Sequence, residues 1–198
     1  NSACLSAEQC AAITGFVENG GTLIATHETS LFDEMGYERE NFALAELLGV
    51  DFVGRRRDAA EHGVVYLHQD SQAVEKFGEL LCFYARDLEV SLKANARPMC
   101  TRSTMSAHKD DLQDGLRAYR LGGQHDSGEP AIVVNEFGKG RVVYIAGDVG
   151  GAFMNSPYPP LMRFIVALVK QTPPPVEIEA PQALEVTAAR RPSGELMV

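Results

Sequence analysis

An α/β fold, with a sheet covered by helices, is the class this sequence predicts, and three observations predict it. Two continuous apolar runs, residues 21–26 (GTLIAT) and 141–146 (RVVYIA), have the length and composition of strands buried on both faces, as in parallel sheets. A helical pattern runs through Asn19 and Gly20 directly into the first of them, which makes an αβ unit with a very short loop. Both runs end in polar corners, and α/β sheets bind ligands at the carboxyl ends of their strands. His27, Glu28, Thr29 and Ser30 follow the first run; Gly147, Asp148, Val149, Gly150 and Gly151 follow the second.

The elements follow in chain order. Ser6 with Gln9 has capping-box spacing, and Cys10, Ile13, Phe16 and Val17 recur at helical intervals, which predicts a helix over 7–18 stopped by a left-handed cap. After the strand at 21–26, Asn41 as cap and Phe42, Leu44, Ala45, Leu47 and Leu48 predict a short helix ending at Gly49. A short strand over 50–53 follows, and 63–67 (GVVYL) is another. Residues 73–86 read as helical through Val74, Phe77, Leu80, Leu81 and Tyr84, and Leu88, Val90 and Leu92 alternate as a strand with one exposed face would. Residues 131–137, the turn Gly138, Lys139 and Gly140, and 141–146 read as a β-hairpin, so part of the sheet is antiparallel. Residues 158–170 (YPPLMRFIVALVK) predict a final helix with its prolines in the first turn. Pro173, Pro174 and Pro175 stop that helix and form a stiff linker, after which 176–178 and 184–188 read as the first strands of a small β module. The expected organisation is therefore a domain over 1–172, a linker over 173–175 and a β module over 176–198. No strand feeds the first helix and the chain stops within a strand pattern, so the expectation is an excerpt of a longer protein.

Composition narrows the function. With 198 residues, 45% hydrophobic, the chain can bury one sizeable core. Its 18 basic and 27 acidic side chains give a net charge of -9, which disfavours nucleic acid and anionic membranes as partners. The basic triplet Arg55 to Arg57, with Arg190 and Arg191 a weaker second cluster, reads as a solvated loop in preference to a phosphate clamp. Cys4, Cys10, Cys82 and Cys100 have neither disulfide nor zinc spacing, which points to a reducing, cytoplasmic setting. No phosphate loop, metal spacing or nucleophile elbow accompanies the strand-end corners, so no cofactor and no metal is expected.

Three stretches carry a family resemblance: LSAEQCAAITGFVENGGTLIATHETSLFDEMG, FALAELLGVDF and NEFGKGRVVYIAGDVGGAF. They resemble the β-galactosidase trimerisation domain, the middle domain of family forty-two glycoside hydrolases, and its variant in proteins carrying a hypothetical glycosyl-hydrolase barrel. The resemblance covers roughly residues 1 to 172. It implies a flavodoxin-like, class I glutamine-amidotransferase-like sheet lacking its first strands here, packed on an upstream TIM barrel that holds the catalytic carboxylates. It also implies a homotrimer, with the residues from Val176 onward opening a carboxyl-terminal β domain. A sheet without its first strands presents an unpaired edge, which invites pairing with another copy.

The candidate site residues follow. His27 and Glu28, beside Thr29, Ser30, Asp33 and Glu34, are placed to hold a sugar or to act as acid and base; otherwise they form a solvated loop whose Thr and Ser cap the next turn. Asp148 among glycines either holds a ligand hydroxyl or accepts backbone amide hydrogens in a tight turn. An amidotransferase-like hydrolase would need a cysteine nucleophile; Cys100, in an irregular stretch shared with His108 and His125, is the least unsuitable. His62 and His68 flank a strand without a second metal ligand. Tyr158, Pro159, Pro160, Leu161 and Phe164 offer either an oligomer or barrel contact or burial against the domain's own sheet. The leading expectation is a non-catalytic oligomerisation domain of a glycoside-hydrolase-like protein. The alternatives are an amidotransferase-like hydrolase using Cys100 and a carbohydrate-binding module, the latter disfavoured by the absence of tryptophan.

Overall fold

In the computed structural model of the chain, the described residues are 2–57, 62–69, 75, 80–83, 86–103, 107–108, 126–155, 159–171, 187 and 189–197. They fall into two units, Asn1–Phe164 and Ile165–Val198.

The first unit opens with α1 (Ala7–Glu18), and its capping box is formed: Ser6 Oγ accepts from the Gln9 amide while Gln9 Oε1 accepts from the Ser6 amide. After a tight turn comes β1 (Thr22–Thr26), which lies parallel to β9 (Gly140–Ile145) with Thr26 opposite Ile145. β9 pairs antiparallel with β8 (Asp126–Phe137), the hairpin expected from the glycine turn. Beyond it come β6 (Ala96–Ser103), β3 (His62–His68) and β4 (Leu80–Phe83), with β7 (Ala107–His108) pairing β3 off the main path. The sheet is mixed: β1 with β9 is parallel and the remaining pairings are antiparallel. A separate ribbon pairs β2 (Val50–Arg57) with β5 (Asp87–Leu92). The architecture is thus α/β, a mixed sheet flanked by helices.

The core gathers Val17 of α1, Ala25 of β1, Val142 and Tyr144 of β9, Val133 of β8, and Leu47 and Leu48 of α2 (Ala45–Leu48). Gly49 ends α2 at φ 75°, and a Cβ there would sit 2.6 Å from that of Ala96 and 2.9 Å from that of Asn135, so both conformation and space demand glycine. α3 (Val149–Asn155) follows the β9 corner, and α4 (Pro159–Val169) begins at a proline as expected.

Several expectations are corrected. Residues 80–83 belong to strand β4, paired with β3, rather than to a helix; of the rest of 73–86 only Glu75 and Arg86 lie within the described residues. A short apolar run fits either period, and pairing with β3 decides it. Asn41 does not cap α2: its Oδ1 accepts from the Phe42 and Phe52 amides and its Nδ2 donates to Asp51, so it anchors the start of β2. β2 runs on through Arg57 past an irregularity at Gly54 (φ 84°), so the arginine triplet is strand rather than loop. Cys100 lies within β6, not in an irregular stretch, although register shifts around Pro98 and Thr101 explain the weak pattern. Of the α4 positions weighed for partner contact or for burial, Leu161 and Phe164 are buried, and Tyr158 lies outside the described residues.

In the second unit, β10 (Ala189–Arg190) and β11 (Leu196–Met197) form a small antiparallel ribbon. Gly194 (φ 87°) turns the chain, and an Arg191–Glu195 ion pair of 2.8 Å spans the turn. The strands expected over 176–178 and 184–188, and the proline linker, lie outside the described residues, Thr187 excepted. Among the described residues no helix is long and apolar enough to cross a membrane.

Candidate functional site

Because β1 and β9 are parallel neighbours, the segments that follow them emerge at the same end of the sheet. The topology therefore brings together the two polar corners, His27–Ser30 and Gly147–Gly151, that stand 117 or more residues apart in sequence.

The first corner is not solvated. His27, Thr29 and Ser30 are buried, and the chain turns through left-handed conformations at His27 (φ 51°) and Ser30 (φ 67°). Hydrogen bonds hold the turn on both sides. The His27 amide donates to Ile145 O at 2.7 Å, and Tyr144 Oη donates to His27 O at 2.8 Å. Thr29 Oγ1 donates to Thr26 O, and Ser30 Oγ accepts from the Leu44 amide. These bonds pin two non-glycine residues in a sparsely populated region, the cost of which the surrounding contacts offset.

The His27 ring is 3% exposed, and neither ring nitrogen has a hydrogen-bond partner among the described residues. Burial pushes its pKa below the ordinary value; the nearby carboxylates of Glu28 and Asp148 oppose this, and Arg86 and Arg56 reinforce it. Glu28 Oε2 stands 3.7 Å from His27 Nδ1, too far for a hydrogen bond. Its other oxygen accepts from Arg56 Nε at 2.8 Å, while Arg56 Nη1 reaches Glu38 at 2.9 Å. The guanidinium also lies over the rings of Phe52 (5.3 Å) and Phe32 (5.9 Å). Glu28 is thus engaged by β2 rather than presented as a base. Asp33 accepts from the Met35 and Tyr37 amides and organises the next turn, and Glu34 is exposed.

In the second corner Asp148 Oδ1 accepts from the Gly151 amide at 3.0 Å, the tight-turn role weighed for it, and a Cβ on Gly151 would meet its Cγ at 3.0 Å. The Asp148 amide donates to Arg86 O, and Asp87 bridges Gly147, so the start of β5 is sewn to the end of β9. Just behind lies a cluster that sequence reading did not find. Asp87, fully buried, forms an ion pair with Arg102 at 2.5 Å and accepts from Tyr66 Oη at 2.8 Å. Arg102 also donates to Leu88 O and approaches Glu129 at 3.4 Å. Burial, and next the charge of Asp87, push the Tyr66 hydroxyl pKa well up. Tyr66, Asp87 and Arg102 come from three strands with no spacing signal that would have joined them.

Cys100 is fully buried in β6, and burial alone pushes its thiol pKa far up. A thiol held protonated is a poor nucleophile. His108 pairs His62 by backbone in β7 and β3, and His125 lies outside the described residues. Cys10 is buried on α1 and Cys4 is exposed before it. Among the described residues no group of His, Cys, Asp and Glu could hold a metal ion.

No family model matches the chain, and no curated protein matches it. Solved structures do match, by fold. A catalytic mutant of Gan42B, a GH42 β-galactosidase from G. stearothermophilus, is 18% identical with a TM-score of 0.60, over 96% of this chain and 24% of that one. The cold-adapted β-galactosidase of Rahnella sp. R3 is 21% identical with a TM-score of 0.58, again over 96% and 24%. A cytoplasmic protein of Salmonella typhimurium LT2 is 17% identical with a TM-score of 0.56, over 82% of this chain and 59% of that one. The chain therefore has a GH42-related α/β fold, and it spans about a quarter of the length of the β-galactosidases it matches.

Proposed function

We propose that the chain is a non-catalytic accessory and oligomerisation domain of a glycoside-hydrolase-like protein of β-galactosidase type. The observation that carries this reading is the lopsided coverage: nearly all of this chain, 96%, corresponds to only 24% of a β-galactosidase. The family resemblance of residues 1 to 172 assigns such a part a flavodoxin-like core, an upstream TIM barrel as one partner and sister subunits of a trimer as others. The state of the candidate groups agrees with a scaffold. Glu28 is paired with Arg56, Asp148 closes a turn, His27 is enclosed and neutral, and Cys100 is buried and protonated. Nucleophilic catalysis requires a nucleophile, a base and an orienting group in hydrogen-bond series, an arrangement these residues do not make. A cytoplasmic setting goes with the same reading, as does the possibility that the strand-end loops border a neighbouring sugar site.

Sedimentation of the chain, combined with an assay of nitrophenyl β-galactoside hydrolysis, tests the proposal. Self-association toward a trimer without turnover is the expected result. A strict monomer removes the oligomerisation role, and turnover abolished by Glu28→Gln or Cys100→Ala removes the non-catalytic one.

A further inference from the structure

The sequence holds one Asn-Gly pair, Asn19 and Gly20, and it stands where α1 turns into β1. Asparagine is a thermolabile residue, and a following glycine makes it more so. Glycine has no side chain to shield its backbone nitrogen, so that nitrogen, once a solvent base has taken its proton, can attack the asparagine Cγ. The N–Cγ bond forms, the Cγ–Nδ2 bond breaks and ammonia leaves, which closes a five-membered imide. Water then opens the ring. Addition at Cγ gives aspartate; addition at the backbone carbonyl gives isoaspartate, whose main chain runs through the former side chain.

Asn19 and Gly20 are both exposed, so water and base reach them. The fold nevertheless withholds the reaction, by three means. Asn19 Nδ2 donates to Gly15 O at 2.7 Å, which points the side-chain amide back along α1. The Gly20 amide, the attacking group, donates to Val17 O at 2.9 Å, and the Gly21 amide donates to Phe16 O at 2.9 Å. With Gly20 at φ 108°, these two bonds make a Schellman motif at the end of the helix. Asn19 itself sits at ψ 8°, which holds the Gly20 nitrogen away from the Cγ it must reach. Ring closure therefore requires the last turn of α1 to come undone.

A second segment leans on that turn. The Lys139 amide, between β8 and β9, donates to Glu18 O at 3.0 Å, and a Cβ on Gly138 (φ 59°) would lie 2.7 Å from Glu18 Cα. Packing this close leaves no slack for the additional main-chain atom of isoaspartate. Either product also adds a negative charge beside Glu18 at the carboxyl end of α1, where negative charge is unfavourable. The conversion is therefore one-way in its structural effect: a modified chain does not rebuild the cap it has lost. We infer that Asn19–Gly20 is a deamidation site latched by the C-cap of α1, and that its conversion to aspartate and isoaspartate records each opening of the α1–β1 junction.

The inference does not rest on the accessory-domain reading, since a scaffold or an enzyme could carry such a site. The test is incubation of the chain in mildly alkaline buffer, with and without unfolding urea, followed by peptide mass spectrometry and chromatographic separation of the aspartate and isoaspartate products. In urea the peptide holding Asn19 should convert. In the folded chain the same conversion should be at least about tenfold slower, because it proceeds only through an open state. Asn19→Gln keeps an amide but needs a larger ring, and should abolish the conversion. Gly138→Ala, strained at positive φ against Glu18, should speed the folded-state conversion about tenfold, its folding checked by circular dichroism. The comparison of the unaltered chain with and without urea stands whether or not that variant folds. Equal rates in both buffers, no conversion in urea, a mass gain that survives Asn19→Gln, or a folded Gly138→Ala chain that converts at the unaltered rate would each overturn the inference.

Discussion

Asp87 and His27 are both ionisable, both buried, and both bonded through their backbones to the end of β9, yet their surroundings are opposite. Asp87 forms an ion pair with Arg102 and accepts a hydrogen bond from Tyr66; His27 meets no hydrogen-bond partner at either nitrogen among the described residues. A buried charge survives only with such a complement, whereas a buried imidazole can give up its charge and stay. The polar residues at this end of the sheet are therefore of two kinds: one an ionic tie between strands β3, β5 and β6, the other a neutral ring locked under a strained turn.

The largest effect separating the two kinds belongs to Asp87→Ala, which strands the Arg102 guanidinium in the interior. Denaturant unfolding should show a loss of about 3–5 kcal/mol, and pairing Asp87→Leu with Arg102→Met should recover most of it. A loss below about 1 kcal/mol for the single change would mean that the pair is hydrated and the contrast false. Next in size is Tyr66→Phe, which deletes one hydrogen bond to a charged acceptor and should cost about 1.5–3 kcal/mol by the same measurement.

His27 sharpens the other side of the comparison through pH. Its folded pKa is depressed by burial, and the unfolded value is near 6.5. Below that value the unfolded chain binds a proton that the folded chain refuses. Stability is therefore complete above about pH 6.5 and falls as pH drops through that value toward the folded pKa, by at most about 1.4 kcal/mol per pH unit. His27→Asn, which tolerates a left-handed φ, should flatten this limb in thermal melts between pH 7 and pH 5. An unchanged slope would assign the acid sensitivity to other groups. The smallest effect is that of Glu28→Gln: its pair with Arg56, 38% exposed, is worth about 1 kcal/mol or less in chemical unfolding.

How much of this was legible in the sequence follows from where the determinants lie. α1, β1 and the β8–β9 hairpin were readable because cap, glycine turn and apolar run sit within a few residues of each other. β4 was not, since LLCF fits a helix face as well as a strand and only β3 decides. β6 hid its period behind Pro98 and repeated register shifts. At the candidate site, the positions of His27, Glu28 and Asp148 at strand ends were readable, because each directly follows a continuous apolar run. Their states were not. Burial of His27 depends on Tyr144 and Ile145, and the engagement of Glu28 on Arg56, 28 residues away. The Tyr66–Asp87–Arg102 cluster joins three separate strands, and no local pattern encodes such a meeting.

The central claim, that the strand-end corner is an enclosed structural element and not a reactive one, is tested most directly by an NMR titration of the His27 ring nitrogens in the folded chain. An imidazole that stays neutral from pH 8 through the ordinary histidine pKa of about 6.5 and charges only below it is the result predicted. An imidazolium at neutral pH, sharing its proton with Glu28 or Asp148, would contradict it.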